Sequence, residues 1–150
     1  MSLTAYKKKR NLKKTKEPKA KEKKSSSKKL IYLIHEHHAT HLHWDLRLEM
    51  NGVLKSWAVP KTPSANTEIK RLAIQVEDHP ISYATFKGII PEGNYGAGEV
   101  KIWDTGKYEL IEKTSSKIII DINGKKLKGK YALIKTNFAG RKNNWLFFKL

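Results

Sequence analysis

Histidines cluster in one short part of the sequence. Five of the six histidines fall within residues 35–43, in the run HEHHATHLH, and Asp45 follows two positions later. The unperturbed pKa of histidine lies near neutral pH, and its neutral imidazole is the commonest metal ligand in proteins. Two imidazoles and one carboxylate can form an open metal site that leaves positions for water and substrate. His37, His43 and Asp45 could supply such a set if the chain bends back between the two histidines.

The residues around this cluster predict a β-strand. Over residues 42–50 apolar and polar side chains alternate with a period of two, which is typical of a half-buried strand. Because successive side chains point to opposite faces, the polar set shares one face. That set consists of His43, Asp45, Arg47 and Glu49. A solvated polar face with ordinary surface histidines is the alternative interpretation, since no strong motif such as HExxH is present.

Three more side chains near the cluster are candidates for phosphate chemistry. Arg47 follows Asp45 by two residues, and its guanidinium offers a fork of donors that fits a phosphate, although a structural ion pair is the alternative. His79 is predicted to lie just past a strand over residues 71–77, in a loop where catalytic groups are common. A structural histidine is the alternative there. Tyr83, taken alone, is expected to pack.

The glycine-rich run over residues 88–98 reads GIIPEGNYGAG. It lacks the lysine of a phosphate-binding P-loop. We therefore interpret it as a structured turn that allows close backbone approach.

The rest of the pattern predicts a mainly β domain. About eight short strands with turns between them favour a compact antiparallel β-barrel, or a strongly curved sandwich. Hairpin turns are predicted at Asn51-Gly52, at Asp104-Thr105-Gly106 and at Asn123-Gly124, and residues 63–69 are expected to form at most a short helical turn. Besides residues 42–50, the predicted strands are residues 53–59, 71–77, 100–103, 107–112, 117–122, 125–127, 131–135 and 145–149.

Charge divides the chain into two parts. The chain carries +17, and residues 1–30 hold 13 Lys or Arg against 2 Glu, a net of +11 that leaves +6 for the remainder. We expect residues 1–29 to be a basic, largely disordered arm and residues 30–150 to be one folded domain. The arm is a solvated tail on one interpretation and a phosphate-gripping segment on the other. Such basicity favours a nucleic acid partner.

Composition also excludes several kinds of site. The sequence contains no cysteine, which excludes disulfides, thiolate metal sites and cysteine nucleophiles. It has no apolar stretch of membrane-spanning length and no signal peptide at its start, so we expect a cytoplasmic protein without a membrane partner. We also expect a monomer.

Two long segments resemble a known family. The runs HEHHATHLHWDLRLEMNGVLKSWAVPKTPS and KRLAIQVEDHPISYATFKGIIPEGNYGAGEVKIWDTG, with the ending LKGKYALIKT…NNWLFFKL, are similar to the 3′-phosphoesterase domain of prokaryotic DNA ligase D. The similarity extends over nearly the whole chain. Because no polymerase or ligase module follows, the sequence looks like a free-standing member.

The resemblance implies an activity and a cofactor. It implies a β-barrel with a curved active-site face, dependent on Mn²⁺ or another divalent transition metal, that acts on 3′ ends of DNA or of DNA–RNA primer–templates in end-joining repair. Such enzymes remove a 3′-terminal ribonucleoside and then the remaining 3′-phosphate, leaving a 3′-hydroxyl. Separate end-joining polymerase and ligase proteins are the implied partners.

The resemblance also implies roles for single residues. The metal ligands fall on His37, His43 and Asp45. The catalytic positions fall on His79, Arg47, Tyr83 and Glu77. The substrate-binding positions fall on Arg47, His79, Tyr83, Arg10 and Glu17.

Two residues depart from the family pattern. Asn11 stands where Asp is usual, which removes a charge from the arm and predicts a weaker phosphatase step. His35 stands where Gln is usual and is expected to add a histidine near the metal. Two other functions are left as alternatives. One is a non-catalytic nucleic-acid-binding barrel with a structural metal, and the other is a metal-dependent nuclease that cleaves internally.

Overall fold

The fold is described by a computed structural model, which covers residue 3, residues 29–137 and residues 140–150. Arg10, Asn11 and Glu17 of the predicted arm lie outside these ranges. Within the described residues the only helix is the five-residue 3-10 helix Ile81–Thr85, and no helix there has the length and apolar composition to cross a membrane.

The described residues form nine strands of one antiparallel sheet. Eight of them follow one another in the order β1-β2-β3-β4-β9-β8-β7-β6, and β6 pairs again with β1, so that the sheet closes into a barrel. The short strand β5 pairs with the first residues of β6. The predicted mainly β fold with an antiparallel barrel is therefore confirmed. The strands are β1 (Leu30–His38), β2 (Leu42–Met50), β3 (Val53–Val59), β4 (Arg71–Pro80), β5 (Gly88–Ile90), β6 (Gly98–Lys113), β7 (Lys117–Gly124), β8 (Lys128–Lys135) and β9 (Asn144–Lys149).

Alternation along the strands gives the barrel an apolar interior. In β2, Trp44, Leu46 and Leu48 point inwards and join the main core cluster, as the period-two pattern predicts. Leu42, the first residue of the same pattern, is instead 44% exposed, at the end of the strand beside a turn. The turn at Asn51-Gly52 is confirmed, since both residues have positive φ, 52° and 81°.

A second, smaller core cluster lies on the outer face of the barrel. The inward-facing residues on β1 belong to the main cluster, so the alternating residue Leu33 must point outwards. It joins residues from β3, from the 3-10 helix and its end, from β5 and from β6. The cluster therefore packs the 3-10 helix and β5 onto the outside of the sheet. Its buried members are Leu33, Leu54, Tyr83, Phe86, Ile90 and Val100.

The prediction of a hairpin turn at Asp104-Thr105-Gly106 is wrong. β6 runs through these residues without a break, with a bulge at Trp103 where the register against β1 shifts. The Asp104 carboxylate accepts hydrogen bonds from the Tyr32 hydroxyl and from the backbone N–H groups of residues 125–127, at 2.8–3.0 Å. Gly106 is needed for close strand approach, because a Cβ there would meet the Asn123 carbonyl oxygen at 2.1 Å.

One smaller expectation also fails, and a second is met without a helix. Residues 125–127 form the turn between β7 and β8 rather than a strand, because β7 continues through Gly124 and Asp104 binds the turn's N–H groups. Residues 63–69, expected to form at most a short helical turn, contain no helix. Instead, Ile69 N–H donates to Asn66 O, and the Asn66 side chain accepts from Glu68 N–H, which makes a turn.

Candidate active site

The hairpin between β1 and β2 brings the candidate metal ligands together. His37 on β1 is the register partner of His43 on β2, so the chain does bend back between them. Asp45 lies two residues along β2, on the same outer face. Nδ1 of His37 is 3.6 Å from Asp45 Oδ2, and Nε2 of His43 is 3.3 Å from Asp45 Oδ1. One ligand atom from each residue lies within 4.8 Å of the others, a spacing suited to one metal ion.

Each imidazole, in its neutral form, directs an unprotonated nitrogen at this centre. His37 donates from Nε2 to the carbonyl oxygen of Gly96 at 2.7 Å, and His43 donates from Nδ1 to the carbonyl oxygen of His41 at 2.9 Å. A carbonyl oxygen can only accept, so the proton of each neutral ring lies on the outer nitrogen. The lone pairs of His37 Nδ1 and His43 Nε2 then face Asp45. This second layer of hydrogen bonds is what metal-binding histidines usually show.

The carboxylate of this centre is buried but charged. Asp45 is 5% exposed. Burial alone would raise its pKa, but the Arg47 charge and, after it, the neighbouring His37 and His43 outweigh burial and hold the pKa well below its usual range. For His43, burial opposes protonation, yet hydrogen bonding and charge from Asp45 raise its pKa. The alternative of a solvated polar face is therefore wrong for β2, where Asp45, Arg47 and Glu49 are all buried.

Arg47 occupies the next outward position on β2 and is fixed by hydrogen bonds. Its Nε donates to Nδ1 of His35 at 3.0 Å, and one terminal nitrogen donates to Ser56 Oγ at 2.7 Å. The other terminal nitrogen is 3.4 Å from Asp45 Oδ2, so the guanidinium borders the metal ligands. The guanidinium carbon also lies 4.9 Å from the ring centre of Tyr83. Arg47 is thus a buried cation with a fixed orientation.

His35 binds Arg47 rather than the metal centre. It is fully buried and donates from Nε2 to the carbonyl oxygen of Phe86 at 2.9 Å, which leaves Nδ1 as the acceptor for Arg47. Burial and then the charge of Arg47 lower the pKa of His35 to about 3, so the ring is neutral. The expectation of an added histidine near the metal is corrected: His35 supports the arginine.

His79 lies inside β4 and not in a loop beyond its strand, which corrects the prediction for this residue. Its Nδ1 is 3.2 Å from a terminal nitrogen of Arg47, 3.4 Å from Ser56 Oγ and 3.0 Å from the Glu77 carbonyl oxygen. Two tautomers are compatible with these contacts, one donating to the Glu77 carbonyl and one accepting from Arg47. The ring packs edge-on against Tyr83, with centroids 4.7 Å apart.

These groups surround a cavity of about 280 Å³. The metal ligands, Arg47, His79 and Glu77 form its polar part. Tyr83 belongs to both the outer core cluster and the cavity wall. The apolar part includes Ala39, Ile90, Val100 and Tyr95, whose side chain is 46% exposed. The structure therefore brings together every candidate site residue that it describes, while Arg10 and Glu17 lie outside the described residues.

The glycine-rich run supplies part of the cavity wall. As predicted, it is a structured turn: Asn94 N–H donates to Pro91 O and Ala97 N–H donates to Asn94 O. Gly98 has φ of 135°, and a Cβ there would meet the His38 carbonyl oxygen at 2.1 Å, so the close approach requires glycine. The turn places the Gly96 carbonyl against His37. This contact orients a candidate metal ligand, a second role of the turn that the spacing of residues in the sequence does not reveal.

Sequence reasoning also missed Ser56 as a site residue. Its Oγ accepts from Arg47 and lies next to His79. Ser56 is the register partner of Arg47 on β3, so a correct pairing of the predicted hairpin would have pointed to it.

Fold and site together define a class of protein, a closed antiparallel β-barrel that carries a candidate three-ligand metal site beside a buried arginine on its outer face. Residues 35–135 match the family model of the DNA ligase D 3′-phosphoesterase domain. The chain therefore belongs to this family, the phosphoesterase domains of DNA ligase D in end-joining repair.

Several multifunctional non-homologous end joining proteins named LigD are similar to the chain. The protein from Pseudomonas aeruginosa is 45% identical over 155 residues, a match that covers 98% of this chain and 18% of that protein. The protein from Mycobacterium tuberculosis is 44% identical over 152 residues, which covers 99% and 20% respectively. The protein from Mycolicibacterium smegmatis is 43% identical over 159 residues, with the same coverage. The chain thus spans about a fifth of the length of these relatives.

Proposed function

We propose that the protein is a Mn²⁺-dependent phosphoesterase that processes 3′ ends of DNA strands during end joining. In the first reaction, water replaces the 5′ oxygen of a 3′-terminal ribonucleoside at phosphorus, which releases the nucleoside and leaves a 3′-phosphate. In the second reaction, water replaces the 3′ oxygen of the strand, which releases phosphate and leaves a 3′-hydroxyl.

One observation carries this proposal. A set of three possible ligand atoms, from two imidazoles and one carboxylate, lies directly beside the buried guanidinium of Arg47. Hydrogen bonds to His35 and Ser56 fix the orientation of that guanidinium. A structural metal site is usually closed by four protein ligands, whereas three ligands leave positions for water and substrate. A buried cation next to such a centre suits a phosphate, which carries its negative charge on several oxygens.

The donor set fits a divalent transition metal. Imidazole and carboxylate ligands of this kind suit manganese and its neighbours, and the resemblance to the family favours Mn²⁺. When bound by His37, His43 and Asp45, the ion supplies Lewis-acid stabilisation of a phosphate oxygen and a lowered pKa for a bound water. The Gly96 and His41 carbonyl oxygens hold the two rings in the orientation that such binding needs.

Arg47, His79, Tyr83 and Glu77 are proposed to act on the phosphate and the leaving group. Arg47 stabilises the negative charge that develops on the phosphate oxygens, because its orientation is set before the substrate binds. His79 either shares that role or protonates the leaving oxygen. Tyr83 supports both side chains with its ring, and Glu77 borders the cavity that receives the strand end.

The partner and setting follow from the charge and from the relatives. A chain of net charge +17 is suited to the phosphates of a DNA or DNA–RNA primer–template. Arg10 and Glu17 in the basic arm are proposed to orient the strand end, and Asn11 to make phosphate removal less efficient. The proposed partners are polymerase and ligase activities of end joining, and the proposed location is the cytoplasm, with the protein acting as a monomer.

A panel of labelled substrates tests the proposal against both alternatives. A primer–template ending in one ribonucleotide should lose its nucleoside and then its phosphate only when Mn²⁺ is present. A primer with a 3′-phosphate should yield a 3′-hydroxyl, whereas a 5′-phosphate should be retained. Cleavage of a circular single strand would instead identify an internal nuclease, and binding without any hydrolysis would identify a non-catalytic binding protein.

A further inference from the structure

A one-residue bulge in β4 decides which side chains reach the cavity. Leu54 on β3 pairs with His79, whereas Ser56 pairs with Val76, so Glu77 and Asp78 together lie opposite the single residue Lys55. Such a bulge reverses the alternation of side chains for the residues that follow it.

The consequence is visible on both faces of the sheet. Before the bulge, Ala73 belongs to the main core and Gln75 binds the Trp145 indole, so both face the barrel interior. Regular alternation would send Glu77 and His79 to the interior as well. Instead both line the cavity on the outer face, and His79 contacts Arg47.

Lys55 and Asp78 form a buried ion pair at the bulge. Nζ of Lys55 is 3.5 Å from Asp78 Oδ1, and the two side chains are only 9% and 10% exposed. Lys55 alternates with outward-facing Leu54 and Ser56, so it lies on the inner face of β3. Replacing a buried ion pair by apolar groups often costs no stability, whereas polar groups can fix a register that apolar packing leaves open.

We propose that Lys55 is a positioning residue for the phosphoesterase reaction, because its ion pair with Asp78 keeps Asp78 on the inner face and thereby His79 and Glu77 in the cavity. If β4 slipped by one residue, Asp78 would take the position beside Arg47, and His79 would turn into the barrel. A buried carboxylate needs a cation or several hydrogen-bond donors, and Lys55 supplies the cation beside Asp78. This inference rests on the proposed function only where it predicts reaction rates, and the predicted positions of the side chains do not depend on that function.

Lys55→Met tests this inference, since Met has a similar length and no charge. In the metal-free protein, nuclear Overhauser contacts between the His79 and Tyr83 rings should be present in the wild type and lost in Lys55→Met. Lys55→Arg should retain them. Lys117→Met removes the lysine of the exposed pair with Glu112 and is the matched control that should leave them unchanged.

Kinetics then separate positioning from general stability. Lys55→Met should lower kcat on a 3′-phosphate primer roughly 10- to 100-fold, the scale expected for a displaced catalytic group, while Mn²⁺ binding stays near that of the wild type. In a His79→Ala background the same change should cost a smaller factor, because one of the two groups that it positions is already absent. Equal fold losses in both backgrounds would overturn the proposal.

The ring contacts decide the inference without any reference to activity. Unchanged contacts between His79 and Tyr83 in a folded Lys55→Met protein would overturn it, even if the rate falls. If Lys55→Met does not fold, Asp78→Asn removes the ion pair with almost no change in shape and is judged by the same criteria. If the wild type hydrolyses no substrate, the proposed function fails, and the ring contacts still show whether Lys55 sets the register.

Discussion

Arg47 and His35 form a directed hydrogen bond: Nε of the arginine donates to Nδ1 of the histidine at 3.0 Å. His35 can accept there because its other ring nitrogen donates to the Phe86 carbonyl oxygen. The neutral histidine therefore accepts a hydrogen bond that fixes the guanidinium beside the candidate metal ligands. Glutamine, which the family resemblance leads us to expect at this position, has one acceptor and one donor group and can make both contacts.

The first prediction follows from that equivalence. His35→Gln should keep most of the activity, because the side-chain oxygen accepts from Arg47 and the side-chain amide donates to Phe86. His35→Leu should lower activity and stability, since it leaves a buried N–H of Arg47 without its partner, a cost of about 1–3 kcal/mol. Urea unfolding and phosphate release measure the two effects. Equal activity in both variants would show that the His35 contact does not orient Arg47.

The second prediction concerns Arg47 itself. Arg47→Lys keeps the charge but cannot bind His35, Ser56 and Asp45 together, so the activity should fall about 100-fold or more, as for the loss of a fixed charge-stabilising donor. Mn²⁺ binding should persist. Arg141→Lys, at an exposed position, is the control that should have no effect. A lysine variant nearly as active as the wild type would reduce Arg47 to a local counter-charge of Asp45.

The third prediction concerns stability and pH. Burial of Asp104 is outweighed by three backbone N–H donors and the Tyr32 hydroxyl, which lower the pKa of Asp104. A lowered folded-state pKa stabilises the fold above the unfolded pKa, near 3.9, and this stabilisation disappears as the pH falls through the folded value. Asp104→Asn should therefore cost about 2–3 kcal/mol at pH 7, and the difference should shrink below about pH 4.

Urea unfolding from pH 7 to pH 3 measures this difference. Asp121→Asn, at an exposed position on β7, is the control and should cost little at any pH. A constant penalty for Asp104→Asn across the whole range would mean that the amide disrupts packing and that the charge of Asp104 is irrelevant to the turn.

The fourth prediction separates two roles of the basic arm. Arg10→Ala and Lys23→Ala remove the same charge from different places in it. If Arg10 orients the strand end, only Arg10→Ala should slow phosphate removal once the substrate is bound. Single-turnover rates with enzyme in saturating excess over a 3′-phosphate primer report that step. Small and equal effects of the two substitutions would show that the arm acts only as a polycation.

Local patterns in the sequence predict the part of the fold and site built on β2. Alternation identifies the strand, Asn51-Gly52 identifies its turn, and the polar face predicts that His43, Asp45 and Arg47 lie side by side. His37 joins them because a short hairpin makes it the partner of His43. These features depend on neighbours in sequence and on one turn, and so they can be derived without the tertiary structure.

Bulges and long-range contacts account for the failures. Asp104 looks like part of a hairpin turn, but the β6 bulge and its bonds to residues 125–127 are made by distant strands. His79 looks like a loop residue because the β4 bulge interrupts the alternation. The contact between Gly96 and His37 joins residues 59 positions apart. Local propensity contains no information about the two bulges or about these long-range hydrogen bonds.

A Mn²⁺ titration of 3′-phosphate release tests the central claim most directly, with His43→Ala and His41→Ala as a matched pair on the same hairpin. His41 is exposed and is absent from the ligand cluster found in the described residues, whereas His43 belongs to it. The wild type and His41→Ala should be inactive in chelator and reach similar rates at similar Mn²⁺ concentrations, and folded His43→Ala should release almost no phosphate at any of them. Wild-type rates from His43→Ala, or undiminished wild-type activity in chelator, would contradict a metal-dependent phosphoesterase centred on His37, His43 and Asp45.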